Sequence, residues 1–353
     1  MPIQQIKNIS KNLVPANLRH YVKKKYIKSK YFNLFPPKFS CNSVKKTFEN
    51  LKKKAPQKDI VILGDGYINL APLPWLNCRN TAIDYLDGFD FKNTIFIYAC
   101  DSDEIGLPFI QHIVLKGGSF FPVSVITPSL YININDKART VLEKEYIDQV
   151  NEGFAKWDTG PYDFINLIQA IDITSSLGGD YVEIGCFRGS SSRVALRYMK
   201  ENQFRRNCYF LDVFDGFNYE AAKKSSDAVW AGSHKTEGPA KVRERLEKYQ
   251  DCNHGPSVFV IKNNIIEEQL PSAIRQIALA NIDVDIYDAV KEALDKVSPR
   301  VIAGGIIIAE DAGHTPYLIG ARLALKEFLE SEQGQYFTPV YMQSGQTFLI
   351  KKG

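Results

Sequence analysis

Four carboxylates stand at the ends of two successive apolar runs, Asp283 and Asp285 in NIDVD and Glu310 and Asp311 in IIIAED. Strands buried on both faces gain nothing in packing by ending in acids, and adjacent strand ends bring such residues to one rim. Carboxylate oxygens with no Cys or His among them suit a hard cation, Mg²⁺, Mn²⁺ or Ca²⁺. The competing reading is that these acids only cap the helices that follow, where a negative charge is favoured by the helix dipole.

A second group surrounds a glycine-rich turn. The run DYVEIGCFRGSSS carries Glu183, Gly185, Arg188, Gly189 and Ser190. Its glycines let a ligand approach the backbone, and the N-terminus of the helix that follows offers free N–H groups to a carboxylate. The next apolar run, LDVFDGF, ends in Asp212 and Asp215. An acid at that position can accept the hydroxyls of a ribose. A glycine turn followed by an acid therefore indicates an adenosine-type ligand.

These residues need a sheet to hold them. GDYVEIG, NCYFLDVFDGF, PSVFVIK, IALANIDVD and AGGIIIAED read as strands, and SSSRVALRYMK, DAVKEALDKVSP and GARLALKEFLES as helices between them. A closing strand pair near TPVYM and TFLIKK completes a mostly parallel α/β sheet with an antiparallel edge. Ligands of such sheets sit beyond the carboxyl ends of the strands, where the strand order reverses. The long connection from Phe217 to Tyr249 holds Trp230 and His234 and would suit a substrate lid.

The part in front has its own alternation. KDIVILGDG (58–66), NTIFIYACD and SVIT (124–127) read as strands, and EIGLPFIQHIVLKGG as a helix that stops at paired glycines. GDGYIN begins like a dinucleotide fingerprint, but Asn69 occupies the place of the third glycine, so no dinucleotide is expected there. The expected organisation is a basic helical arm over 1–54, a small degenerate Rossmann-like domain over 55–130, a helical linker over 131–159 and the larger domain over 160–353.

The chain has 353 residues and a net charge of +4, of which residues 1–54 hold +13 and the remainder −9. Clustered positive charge attracts a polyanion, and the Tyr and Phe interleaved in RHYVKKKYIKSKYF suit an anionic membrane surface. Packing of a solvated arm on its own acidic body remains the alternative, and nucleic acid is the less favoured partner. The six cysteines show no CxxC pair and no zinc spacing. The start lacks the apolar core of a signal peptide, and no run reaches the roughly 18 apolar residues of a membrane span. A cytoplasmic protein, peripheral to a membrane at most, is expected; a homo-oligomer is compatible with all of this.

From about Gly160 to Lys351 the chain resembles the macrocin O-methyltransferase family, through YDFINL, GDYVEIGCFRGSSS, FLDVFDGF, the stretch from EEQLPSAIRQ to IIIAED, and FTPVYMQSGQTFLIK. The resemblance implies a class I methyltransferase fold, Rossmann-like, with S-adenosylmethionine at Glu183, Gly185 and Asp212. It also implies a divalent metal, Mg²⁺ or Mn²⁺, at Asp283, Glu310 and Asp311, and a sugar or glycan hydroxyl as acceptor. Family members usually carry Asp-Asp where this chain has Glu310-Asp311, and glutamate lengthens the arm. In this reading Asp283 is both ligand and general base. His234 in WAGSHKTEG and His314 in EDAGHTP are the alternative bases, since an unperturbed imidazole titrates at about 6.5. A binding module that uses the basic arm on a polyanion, or an NAD-dependent sugar oxidoreductase built on GDGYIN, are the rival classes. Neither accounts for the clustered acids.

Overall fold

A computed structural model describes residues 39–66, 69–71, 73–100, 102–123, 135–152, 162–224, 230–313 and 318–353. The arm up to Lys38, the SVIT run and His314 lie outside them. The chain divides into two compact units, 1–143 and 144–353.

The first unit is built on four parallel strands, β1 (Asp59–Gly64), β2 (Trp75–Asn77), β3 (Thr94–Ala99) and β4 (Ser119–Pro122), in the order β2-β1-β3-β4. Side chains alternate across a strand, and here the alternation separates two cores. Ile60 and Ile62 of β1 pack with Val44 and Leu51 of helix α1 (Cys41–Lys54). Val61 and Leu63 pack instead with Phe109 and Ile113 of α2 (Asp103–Leu115). Ser40 caps α1, its hydroxyl accepting the Ser43 N–H at 3.1 Å. The last quarter of the basic arm is thus a helix of the first domain's core, because Val44 and Leu51 stand seven residues apart on one face.

A long helix, α3 (Asp136–Asn151), lies within the stretch expected as a helical linker. The second unit then holds α4 (Tyr162–Ile173), β5 (Asp180–Ile184), α5 (Ser190–Glu201), β6 (Arg206–Asp212), α6 (Glu220–Lys224), α7 (Pro239–Glu247), β7 (Pro256–Lys262) and β8 (Ile277–Ile282). It continues through α8 (Tyr287–Val297), β9 (Val301–Ala309), α9 (Ile319–Glu330), β10 (Phe337–Tyr341) and β11 (Thr347–Lys351). The sheet order is β10-β11-β9-β8-β5-β6-β7. Only β11 runs against its neighbours, pairing antiparallel with both β9 and β10. The mostly parallel sheet with an antiparallel edge is as expected. Every residue of β8 is buried, the pattern of a central strand covered on both faces.

The chain starts at β5, winds outward to β7, and returns to lay β8 on the other side of β5. The reversal therefore falls between β5 and β8. Gly185 stands there with φ +89°, and a Cβ on it would come 1.7 Å from the carbonyl oxygen of Asp283. No larger residue can bring the two strand ends so close.

A buried ionic network fixes the helix that follows. Glu145 is fully buried and accepts from Arg193 Nε at 3.0 Å, from Arg197 and from the Tyr249 hydroxyl. Gln149 takes the Ser190 hydroxyl at 2.6 Å and donates to the Ser190 carbonyl at 3.1 Å. Together they hold the first turn of α5. Removing one member of a buried pair strands the other charge, so Glu145→Ala should cost about 3–5 kcal/mol. A Glu145→Met/Arg193→Met double variant should recover part of the loss. Urea unfolding checks both, and a single variant with an unshifted midpoint would show that the network holds nothing.

Candidate active site

Two cavities open at the carboxyl ends of the second sheet. The first, of roughly 250 Å³, lies beside the glycine turn and is lined by Gly185, Phe187 and Asp212 among others. The second, of roughly 450 Å³, is lined by the acids Asp163, Glu310 and Asp311 together with Trp230 and Gln346. Asp283, Asp285 and His234 line both.

Asp212 braces the first cavity. Its carboxylate accepts the Phe187 N–H at 2.8 Å and the Phe214 N–H at 2.6 Å, tying together the turns after β5 and β6. Burial raises its pKa against the pull of those two bonds. Each oxygen keeps a second lone pair for a ligand. Glu183 lies deeper than expected and lines neither cavity. It is fully buried, accepting from the Ser191 hydroxyl and from the Tyr181 hydroxyl at 2.9 Å, and burial raises its pKa as well. Its observed work is to anchor the start of α5 from inside.

The other residues of the expected cofactor set divide. Gly185 lines the first cavity and Ser190 the second. Gly189, with φ +83°, forms the N-cap of α5 and packs against Leu246. Arg188 lies over the Phe187 ring, 5.3 Å from its centroid, and Asp215 is exposed and paired with Lys262. Neither lines a cavity. Asp215 follows a turn that carries it away from the β6 end, which the spacing of LDVFDGF does not reveal.

His234 is placed by the connection after β6. Gly216 has φ +70°, and a Cβ there would come 2.2 Å from the Ser233 carbonyl oxygen. The Phe217 N–H donates to that same oxygen at 3.1 Å, pinning the segment that carries His234. The imidazole packs edge-on to Phe187 and Phe217, and its Nδ1 lies 2.7 Å from the Ser233 hydroxyl. Phe187, His234 and Asp285 all have positive φ without being glycine, at 46°, 61° and 57°. Strain of this kind persists where surrounding structure enforces it, and functional sites are where it gathers.

The acids come together differently from the expected set. One carboxylate oxygen each from Asp283, Asp285 and Asp311 lies within 4.8 Å of the others. Asp311 also accepts the Asp285 N–H at 3.0 Å, which draws the β8 and β9 ends together. Glu310 is not in this trio. Its Oε1 accepts from Gln346 at 3.4 Å, while its Oε2 has no hydrogen-bond partner among the described residues. Both oxygens of Asp163 and the Oδ1 of Asn281 are likewise buried without such a partner. Burial raises Asp283, Glu310 and Asp311 well above the usual carboxylate range, and their mutual repulsion raises them further.

Hard oxygen donors and orphaned acceptors meet the requirements of a divalent cation of the Mg²⁺ type. Sequence reading missed Asp163, Asn281 and Gln346. Asp163 sits in the first turn of α4, where an acid reads as an ordinary helix-start residue. Gln346 precedes β11 in a turn and carries no periodic signal.

Residues 159–335 match the macrocin-O-methyltransferase (TylF) family. A curated relative, the 8-demethyl-8-(2,3-dimethoxy-alpha-L-rhamnosyl)-tetracenomycin-C 4'-O-methyltransferase of Streptomyces olivaceus, is 26% identical over 152 residues. That alignment takes in 39% of this chain and 55% of the relative, so the chain spans about half the length of the protein it matches. Among solved structures, the O-methyltransferase NovP is similar with a TM-score of 0.45 and 18% identity, over 58% of this chain and 88% of its own. The calicheamicin methyltransferase CalS11 gives 0.44 and 17%, over 64% and 97%. With the family match spanning half of its length, the chain belongs to the macrocin-O-methyltransferase family.

Proposed function

We propose that the second unit transfers the methyl group of S-adenosylmethionine to a hydroxyl of a sugar or glycan acceptor, with Mg²⁺ or Mn²⁺ at the acid cluster. The observation that carries this reading is the meeting of two cavities at Asp283, Asp285 and His234. A donor in one cavity and an acceptor in the other would present their reacting atoms to the same three side chains. Family membership supports the reaction, and the tetracenomycin relative, named as acting at a 4'-hydroxyl, supports a glycosylated acceptor.

S-adenosylmethionine supplies a methyl group on an electrophilic sulfonium. The residues around it have separate tasks. Gly185 and the first turn of α5 receive the amino-acid end, where amide N–H groups and the helix dipole favour a carboxylate. The free lone pairs of Asp212 accept from the ribose.

Asp283, Asp285 and Asp311 would hold the cation, with Glu310 and Asp163 adding negative charge behind them; bound there, it supplies Lewis acidity that lowers the pKa of an acceptor hydroxyl. Coordination reduces the basicity of Asp283, which favours His234 for taking the hydroxyl proton. With Nδ1 beside the Ser233 hydroxyl, Nε2 is the nitrogen for that transfer. Trp230 lines the acid-rich cavity and packs 6.4 Å from the His234 ring, which stands exposed at the junction.

Three measurements test this assignment. EDTA should stop turnover while calorimetry still detects S-adenosylhomocysteine, whereas Asp212→Ala should weaken that binding by about tenfold or more. Full activity in EDTA would remove the cation from the reading. His234→Gln should lower kcat by about 10²- to 10⁴-fold with cofactor affinity nearly unchanged. A variant at the parent rate would return the base to Asp283.

The third measurement concerns the electrostatics of the acid cluster. Glu310 has a raised pKa in the folded chain, so its contribution to stability is complete below the ordinary glutamate pKa, about 4.3. That contribution is lost as pH rises through the folded value. In EDTA, Glu310→Gln should therefore raise the thermal midpoint more at pH 8 than at pH 5. An equal effect at both would mean that Glu310 does not titrate abnormally.

A further inference from the structure

The excess of positive charge at the start of the chain plays no part in the chemistry proposed for the second unit. Residues 1–54 hold a net +13, and among the described residues of that stretch the charge is carried by helix α1. Its lysines, Lys45, Lys46, Lys52, Lys53 and Lys54, are all exposed, and Glu49 is its one acid.

Packing fixes how these charges stand. Val44 and Leu51 are buried in a core of the first unit, so one face of α1 is committed to it. Each residue of a helix is turned by about 100° from the last, which sets Lys46 and Lys53 opposite that face and Lys45 and Lys52 along its flank. Lys46 and Lys53 are seven residues apart, about 10.5 Å along the axis. The Ser40 capping box holds the first turn. The lysines thus form a platform anchored from below.

Intramolecular needs do not account for this platform. The negative end of the helix dipole favours cations in the last turn, which covers Lys52, Lys53 and Lys54. It offers nothing to Lys45 and Lys46 in the opposite half. Lys45 reaches Glu49 at 4.0 Å, and Lys52 lies over the Phe48 ring, 5.9 Å from its centroid. The ammonium groups of Lys46, Lys53 and Lys54 make no hydrogen bond or ion pair among the described residues. Five cations around one anion repel one another, and an anionic partner relieves that repulsion.

The make-up of the charge separates the possible polyanions. Arg19 is the single arginine of residues 1–54, against thirteen lysines, whereas the rest of the chain holds twelve arginines. Recognition of nucleic acid draws on the guanidinium fork, which pairs with phosphates and base edges in a fixed geometry. An ammonium on a flexible stem is a point charge, which suits a surface of spread charge without fixed register. The Tyr and Phe residues interleaved in RHYVKKKYIKSKYF add rings of the kind that sit at headgroup level.

We infer that the exposed face of α1, around Lys46 and Lys53, is an electrostatic docking surface for an anionic lipid bilayer. Each lysine held near such a surface raises the partition by about fivefold, and the attraction falls off within a Debye length. The inference uses no residue of the second unit, so it stands or falls apart from the methyl-transfer reading.

Co-sedimentation of the full chain with vesicles tests it. Vesicles of phosphatidylcholine mixed with phosphatidylglycerol should retain the protein at about 50 mM salt and release most of it at about 500 mM. Pure phosphatidylcholine should retain almost none. Lys46→Gln/Lys53→Gln should lower the partition by about tenfold or more, with an unshifted thermal midpoint because both positions are exposed. Lys46→Arg/Lys53→Arg keeps the charge and should bind as the parent does. A single-stranded oligonucleotide at the same concentration of negative charge should be held less tightly than the anionic vesicles. An unaltered partition in the glutamine pair would move the attraction off α1 and overturn the proposal. So would equal retention by neutral vesicles, no retention by anionic ones, a large loss in the arginine pair, or tighter binding of the oligonucleotide.

Discussion

Three carboxylates confined within 4.8 Å of one another impose the constraint around which the second unit is arranged. Asp283, Asp285 and Asp311 repel one another at this separation. Their positions persist because covalent and packing forces elsewhere leave no alternative. The strand β8 is buried throughout and pairs with β9 up to Ile282 and Ala309, and Asp311 is tied by a backbone N–H to the residue it repels. Asp285 is held in a left-handed conformation that adds to the strain. A fold that tolerates this cost supplies a preorganised set of hard oxygens, which is the property the proposed cation would use.

The residues around the glycine turn illustrate a different division of labour. Glu183 and Asp212 both stand at strand ends, but Glu183 is sealed inside and Asp212 faces a cavity. Asp212 is bonded to the turns after β5 and β6, and Glu183 to the hydroxyls of Ser191 in α5 and Tyr181 in its own strand. The bond to Asp212 fixes Phe187, whose ring packs against that of His234. The position of His234 in a connecting segment is thereby fixed from the rigid sheet, as loops that carry function require.

The two units apply one topological rule to different chemistry. Each has a wholly or mostly parallel sheet whose chain reverses direction at a central strand, and each has a cavity at that point. In the second unit the rim is dominated by carboxylates, which suits cations and hydroxyls. In the first the lining mixes two guanidiniums with three carboxyls. The fold locates the sites, and the side chains at the strand ends decide what enters them.

Much of this was legible in the chain. Short apolar runs, most of them ending in Gly or Asp, marked β1, β3 and β5 through β9, because buried parallel strands must be apolar throughout and their ends must turn. β2 was not legible: its three residues, Trp75–Asn77, are too few to show alternation. The helices α6 and α7 were also hidden, within a connection whose composition has no strong apolar face. Asp283 and Asp311 could be read as a pair from their strand ends. The place of Asp285 beside them, the retreat of Glu310 behind them and the addition of Asp163 from a helix more than a hundred residues earlier could not. Periodicity reports the face on which a side chain lies and nothing about its distance from a residue on another element. The sequence by itself determined the sheets, their carboxyl-end rims and the acids available there. Only the tertiary structure decided which oxygens meet, because strand register, the conformation at Gly185 and Asp285, and the packing of α4 set distances that no local pattern encodes.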